Sequence, residues 1–159
     1  MAKTVADVMS RDLITVKPQT PIKEAIKILA EQRISGLPVV DDVGKLVGVI
    51  SETDLLWQET GVEPPLYIMF LDSVIFLENP ARHEHELHKA LGQTVGEVMS
   101  TDPVTVKPNQ PLRKAAKLMQ EKSIRRLAVT DDTDKVIGIL TPGDIVRAMA
   151  AEFNDSVNT

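Results

Sequence analysis

The sequence predicts an α/β (α+β) protein of two tandem β-α-β-β-α units packed sheet to sheet. Three observations carry that expectation. Residues 4–56 recur at 94–146 with a constant offset of 90 and no gap, and 22 of the 53 aligned positions are identical. Chance would give roughly three at ordinary residue frequencies. Within each copy, short extended apolar runs alternate with stripes of helical spacing. Finally, one copy of about 55 residues is marginal as an independent fold. Two copies that bury their sheets against each other give the duplication a structural purpose.

The elements follow in order. Thr4 and Thr94 can each cap a short helical turn ending near Met9 and Met99. An extended stretch follows, Ile14-Thr15-Val16 or Val104-Thr105-Val106, stopped by Pro18 or Pro108. Thr20 as N-cap with Pro21 in the first turn predicts the start of a helix. Its apolar face is Ile22, Ala25, Ile26 and Leu29, matched in copy two by Leu112, Ala115, Ala116 and Met119. Two apolar runs then flank a turn: 37–40 and 46–50 around "DDVGK", and 127–129 and 136–140 around "DDTDK". Each pair reads as a β-hairpin. A last helix starts after Ser51 or Thr141. The organisation expected is repeat one at 1–56, an insert at 57–93, repeat two at 94–151 and a tail at 152–159.

Composition narrows the function. Apolar residues make up 43% of the chain and charged residues 26%, which is globular rather than disordered. A net charge of −5 argues against a duplex-DNA partner. The absence of Cys removes disulfides, thiolate nucleophiles and Cys-ligated zinc together. The apolar stretch 66–77 is too short to span a bilayer and contains Asp72. "MAKTVADVMS" has no apolar signal segment, so a cytoplasmic location is expected.

The motif richest in chemistry occurs twice, as "SETD" (Ser51 to Asp54) and "TPGD" (Thr141 to Asp144), each following a strand. Two readings stand. The pattern is a capping box, in which the hydroxyl caps a backbone N–H and the acid reaches back. The same helix N-terminus also offers free N–H groups to a phosphate, and its carboxylate can accept bonds from ribose hydroxyls. In "SIRRLAV", Arg125 and Arg126 are either a solvated turn or a phosphate clamp. Copy one carries Ser35 and Gly36 there, so the copies are chemically unequal.

The insert holds the only Trp, the only Tyr, two of the three Phe and all three His. Pro64-Pro65 breaks the chain, an apolar stretch follows, and "ENPARHEHELHKAL" predicts a charged helix capped near Asn79-Pro80. The aromatics read either as a local core or as a dimer or partner contact. His85 and His88 share a helical face, but H-E-x-x-H is absent, so a solvated face is expected and no metal site. Nor does any P-loop or G-x-S-x-G motif support catalysis, and the two carboxylates lie ninety residues apart.

"RISGLPVVDDVGKLVGVISETDLL" and "SIRRLAVTDDTDKVIGILTPGDIV", each after a "VMS…TVKP" leader, closely resemble the CBS domain, named after cystathionine β-synthase. Two in tandem are similar to what that family calls a Bateman module. The resemblance implies a pseudo-twofold pair with clefts between the sheets, adenine nucleotides as regulatory ligands with no cofactor required, and disc-shaped homodimers. It also implies two unequal clefts. One would combine Ser51, Thr53 and Asp54 with Val104, Thr105, Arg125 and Arg126; the other would combine Thr141 and Asp144 with Ile14, Thr15, Gly36 and Pro38. The function expected is a non-enzymatic nucleotide sensor acting on its own dimer or a separate effector protein. The alternative is a ligand-free interaction or dimerisation module working through the 57–93 insert.

Overall fold

The computed structural model describes residues 2–61, 67–70, 73–76 and 80–157. In copy one, α1 (Val5–Val8) precedes α2 (Ile22–Gln32), β1 (Gly36–Val40), β2 (Leu46–Ser51) and α3 (Glu52–Thr60). The insert supplies β3 (Tyr67–Phe70), β4 (Ser73–Phe76) and α4 (Pro80–Leu91). Copy two supplies α5 (Val95–Val98), β5 (Thr105–Val106), α6 (Leu112–Lys122), β6 (Leu127–Thr130), β7 (Val136–Leu140) and α7 (Pro142–Val157).

The expected hairpins form: β1 pairs with β2, and β6 pairs antiparallel with β7. Parallel β5 completes a three-stranded sheet in copy two, whereas copy one has only a parallel bridge from Val16 to Val39. The turns are held by one device. Asp41 Oδ1 accepts the N–H groups of Val43 and Lys45, and Asp131 Oδ1 accepts those of Thr133 and Lys135. The same turn position is left-handed in both copies, at Gly44 (φ 89°) and Asp134 (φ 64°). The apolar stretch of the insert folds as the antiparallel β3–β4 hairpin. Of the insert's aromatics, Trp57 is half-buried on α3; the side chains of Tyr67, Phe70 and Phe76, the Pro64-Pro65 break and the Asn79 cap lie outside the described residues.

The expected cap of α2 needs correction. Pro21 is the N-cap, with φ −60° and ψ 141°, and the Thr20 hydroxyl instead accepts the N–H of Lys17. The backbone here is committed elsewhere. Thr20 O accepts the Val95 N–H, Ile22 N donates to Gln93 O, and Pro21 forms a bridge with Thr94. Those bonds hold the chain extended through Pro21 and delay the helix by one residue.

The chain divides into two compact units. The first comprises Met1–Thr15, Val40–Gly48 and Thr101–Thr159; the second comprises Val16–Val39 and Val49–Ser100. Each therefore carries the leader of the other copy. In the first unit α1 packs on α6, α7 and β7, and Ser10 bridges Ile139. Its core gathers Val5 and Met9 with Val106, Ala115, Met119, Leu127, Val129 and Leu140. In the second unit α5 packs on α2 and α4, and Ser100 bridges Val49. Its buried residues stand at the matching positions: Val95, Val16, Ala25, Leu29, Leu37, Val39 and Ile50. Fully burying one such aliphatic side chain stabilises by about 1.5–3 kcal/mol, so each leader is a substantial part of the core it completes.

Candidate functional site

Both predicted capping boxes are formed. In the second unit β2 ends at Ser51 in extended conformation, and α3 begins at Glu52. Asp54 Oδ2 accepts the Ser51 N–H at 3.0 Å and its hydroxyl at 3.1 Å, while Ser51 Oγ accepts the Asp54 N–H at 3.4 Å. In the first unit Asp144 Oδ2 accepts the Thr141 N–H at 2.9 Å, and Thr141 Oγ1 accepts the Asp144 N–H at 3.2 Å. Pro142 occupies the first helical position, where its missing N–H costs nothing.

Beyond the caps the two carboxylates differ. Asp54 is 5% exposed and is held by α4 of the insert. Lys89 Nζ lies 2.5 Å from Asp54 Oδ1 and donates also to Val98 O at 3.0 Å and Ser100 Oγ at 3.3 Å. The Ser100 hydroxyl in turn donates to Asp54 Oδ1 at 2.9 Å. All three ammonium protons have acceptors, and Asp54 receives four bonds, about the full capacity of a carboxylate. Gln58 fastens the same helix end, its amide donating to the carbonyls of Lys89 and Gly92. Gly92 is required there, because a Cβ would meet Val98 Cγ2 at 2.6 Å and His88 O at 2.7 Å.

Asp144 Oδ1 instead takes one bond, at 2.6 Å, from Arg147, whose side chain is 73% exposed. Asp144 also borders a cavity of about 330 Å³ with Lys3, Asp7 and Arg147. In the same unit Arg126 is half-buried, and its Nε is buried without a hydrogen-bond partner. Burial pulls the Arg126 pKa below its ordinary value, and the nearby Asp144 charge works against that shift. A buried guanidinium N–H with no acceptor is unusual enough to need an explanation.

The remaining expected site residues divide between the units. Ile14, Thr15, Val104, Thr105, Arg125, Arg126, Thr141 and Asp144 belong to the first, and Gly36, Pro38, Ser51, Thr53 and Asp54 to the second. Arg125, Thr15, Thr53 and Thr105 are exposed, and Ile14 and Val104 are half-buried. Gly36 and Pro38 are buried in β1. Arg126 thus shares a unit with Asp144, whereas Asp54 lies in the other. Sequence reasoning missed Lys89, which stands in a charged run read as a solvated face. Gly92, three residues on and without a counterpart in the repeat, was the available signal of close packing.

A family model described as the CBS domain matches residues 5–58 and 95–151. The chain is 38% identical over 149 residues to the chloroplastic CBS domain-containing protein CBSX2 of Arabidopsis thaliana, covering 91% of this chain and spanning 63% of that relative. The crystal structure of CBSX2 in complex with AMP superposes with a TM-score of 0.79 at 35% identity, over 94% of this chain and 97% of that one. The CBS domain pair of MJ0100, in complex with 5-methylthioadenosine and S-adenosyl-L-methionine, superposes with a TM-score of 0.68 at 28% identity, over 96% and 99%. Among the described residues, no helix is long and apolar enough to cross a membrane.

Proposed function

This chain belongs to the CBS-domain family, and from that premise we propose that it is a regulatory module that binds an adenine nucleotide. The bound state is passed to a separate effector protein or to the chain's own dimer. The observation that carries this reading is the buried, unpartnered Arg126 Nε, in the same unit as Asp144 and within range of its charge. A ribose phosphate supplies what each lacks. Its hydroxyls donate to a carboxylate that has acceptor capacity left, and its phosphate accepts from a guanidinium that has a donor left. The AMP carried by CBSX2 makes AMP the first ligand to try.

We assign the ribose to Thr141 and Asp144 and the phosphate to Arg126, with Arg125 as an exposed second cation. The adenine falls to the strand-end residues Ile14, Thr15, Val104 and Thr105 of the same unit. Ser51, Thr53, Asp54, Gly36 and Pro38 are the corresponding set of the second unit. The module works as a sensor rather than an enzyme. Asp144 holds its helix cap while it binds, and it is given no proton to move. A ligand shifts a conformational equilibrium only by its differential affinity for the two states. Such a sensor acts where adenine nucleotides are free, in the cytoplasm.

A homodimer is the second part of the proposal. The first unit has an apolar groove of about 250 Å³ lined in part by Ala116, Met119, Ile145 and Val146. The second has one of about 360 Å³ lined in part by Ile26, Leu29, Leu55 and Leu56. These are the same positions of the repeat, offset by 90. A chain that carries one apolar face twice suits a second copy of itself about a twofold axis.

Thermal melting with AMP, ADP, ATP and S-adenosylmethionine tests the nucleotide reading. Ligand at about 100 times its Kd stabilises the folded state by about 2.7 kcal/mol. At least one of the four should raise the midpoint of the wild type, with Arg126→Ala and Asp144→Ala each weakening the rise. No rise with any of them overturns the reading.

A further inference from the structure

Resting on that nucleotide reading, we propose that α4 of the insert is a built-in occupant of the copy-one site. Lys89 holds the Asp54 carboxylate closed, so the chain takes one nucleotide through Asp144, and a second only when α4 lets go.

The repeat itself supplies the comparison. With the offset of 90, Asp144, Val8 and Ala148 of the first unit correspond to Asp54, Val98 and Gln58 of the second. In the first unit these three residues border the cavity of about 330 Å³. In the second unit all three engage Lys89: Asp54 and Val98 bind its ammonium, and Gln58 binds its carbonyl. One place in the repeat is thus a cavity in one unit and is filled by the chain's own cation in the other. Ribose hydroxyls must donate to the carboxylate, yet Asp54 already accepts from Lys89, Ser100 and twice from Ser51. Asp144 accepts from Thr141 and from Arg147, whose side chain is 73% exposed and has solvent to turn into. The ammonium arrives on a single helix that is not part of the repeat, and the Ser51–Asp54 cap is made within α3 itself, so release of α4 would free the carboxylate without undoing that cap.

Two measurements test this. Calorimetric titration with AMP should give one site per chain for the wild type, none for Asp144→Ala, two for Lys89→Met and one for Lys89→Met/Asp144→Ala. A single site in Lys89→Met, or binding retained in Asp144→Ala, overturns the lock. Binding by no variant at all sinks the nucleotide reading rather than the lock, and the second measurement then decides. Amine labelling of the wild type, read by mass spectrometry, should modify Lys89 at least tenfold more slowly than the exposed Lys27 and Lys117. Asp54→Asn should remove that protection. Wild-type labelling of Lys89 at the rate of those lysines overturns the proposal whatever AMP does, and this arm needs no Lys89 variant to fold.

Discussion

Met9 lies so closely over Gly138 that no side chain fits between them. A Cβ on Gly138 would press on Met9 Sδ and come within 3.1 Å of Ser10 O. The carbonyl cannot retreat, because Ser10 and Ile139 exchange two backbone bonds of 2.8 and 2.9 Å. This contact fastens the leader of copy one onto the strand of copy two. Gly138→Val should therefore destabilise the protein by about 1–3 kcal/mol through overpacking. Urea denaturation checks the value. In the double-mutant cycle with Met9→Ala the two losses should be less than additive.

The ion pairs of the two capping carboxylates should contribute very unequally. Lys89 and Asp54 have side chains 10% and 7% exposed, whereas Arg147 on Asp144 is 73% exposed. Removing one partner of a buried pair leaves an uncompensated charge and costs about 3–5 kcal/mol. An exposed pair is worth about 0–1 kcal/mol. Lys89→Met should thus lower stability several-fold more than Arg147→Ala. Equal losses in denaturant titrations would show that α4 does not seal Asp54 in solution.

Much of this architecture was legible in the sequence, and the part that was not has a physical reason. The hairpins follow from the "DDVGK" and "DDTDK" turns, whose first Asp organises the loop as expected for a residue that bonds its own backbone. The helical stripes place Ala25, Leu29, Ala115 and Met119 in the core, though Ile26 of the same stripe stays 42% exposed on the apolar groove. The exchange of leaders was not legible. "TVADVMS" and "TVGEVMS" present nearly the same side chains, so nothing in either says which copy it completes. Nor was Lys89, because α4 inverts the usual pattern: Lys89 and Ala90 are buried while Leu87 and Leu91 are exposed. Of the site, the two capping boxes could be read directly, and the inequality between them depended on a contact 35 residues away in sequence.

Acid should weaken the copy-two turn. Hydrogen bonds from the Thr133 hydroxyl and N–H, with smaller help from Lys135, hold the Asp131 pKa below its ordinary value of 3.8. The folded value is thus the lower one. The stabilisation is complete above pH 3.8 and is lost as the pH falls from there through the folded value. Asp131→Asn should be less stable than wild type at pH 6, and the gap should narrow below pH 3.8. Urea midpoints between pH 6 and the acid limit of folding check this, and a constant gap would refute it.

Two helices end on a non-glycine residue in the left-handed region, Arg33 after α2 and Ser123 after α6, both at φ 53°. Glycine removes the Cβ penalty there, although it enlarges the entropy of the unfolded chain. Ser123→Gly should therefore gain up to about 1 kcal/mol. Ala150→Gly, in the middle of exposed α7, should instead lose up to about 1 kcal/mol, because glycine inside a helix is unfavourable. Thermal melts of the two variants give opposite signs if the backbone conformation is the cause.

Helix α7 provides the test of the dimer. None of its sixteen residues is buried, yet Val146, Met149, Phe153 and Val157 form a stripe at 63, 51, 69 and 84% exposure. A run of large apolar side chains on one helical face is costly to leave in water and marks a contact surface. Val146 and its repeat counterpart Leu56, which is 61% exposed, both line the apolar grooves. Placing a carboxylate at each, in Leu56→Glu/Val146→Glu, should turn a wild-type dimer into a monomer in sedimentation velocity at micromolar concentration. Both positions are exposed in the isolated chain, so the variant should keep the far-ultraviolet circular dichroism of the wild type. A wild type that sediments as a monomer would overturn the dimer, and a variant that remains a dimer would move the interface away from these faces.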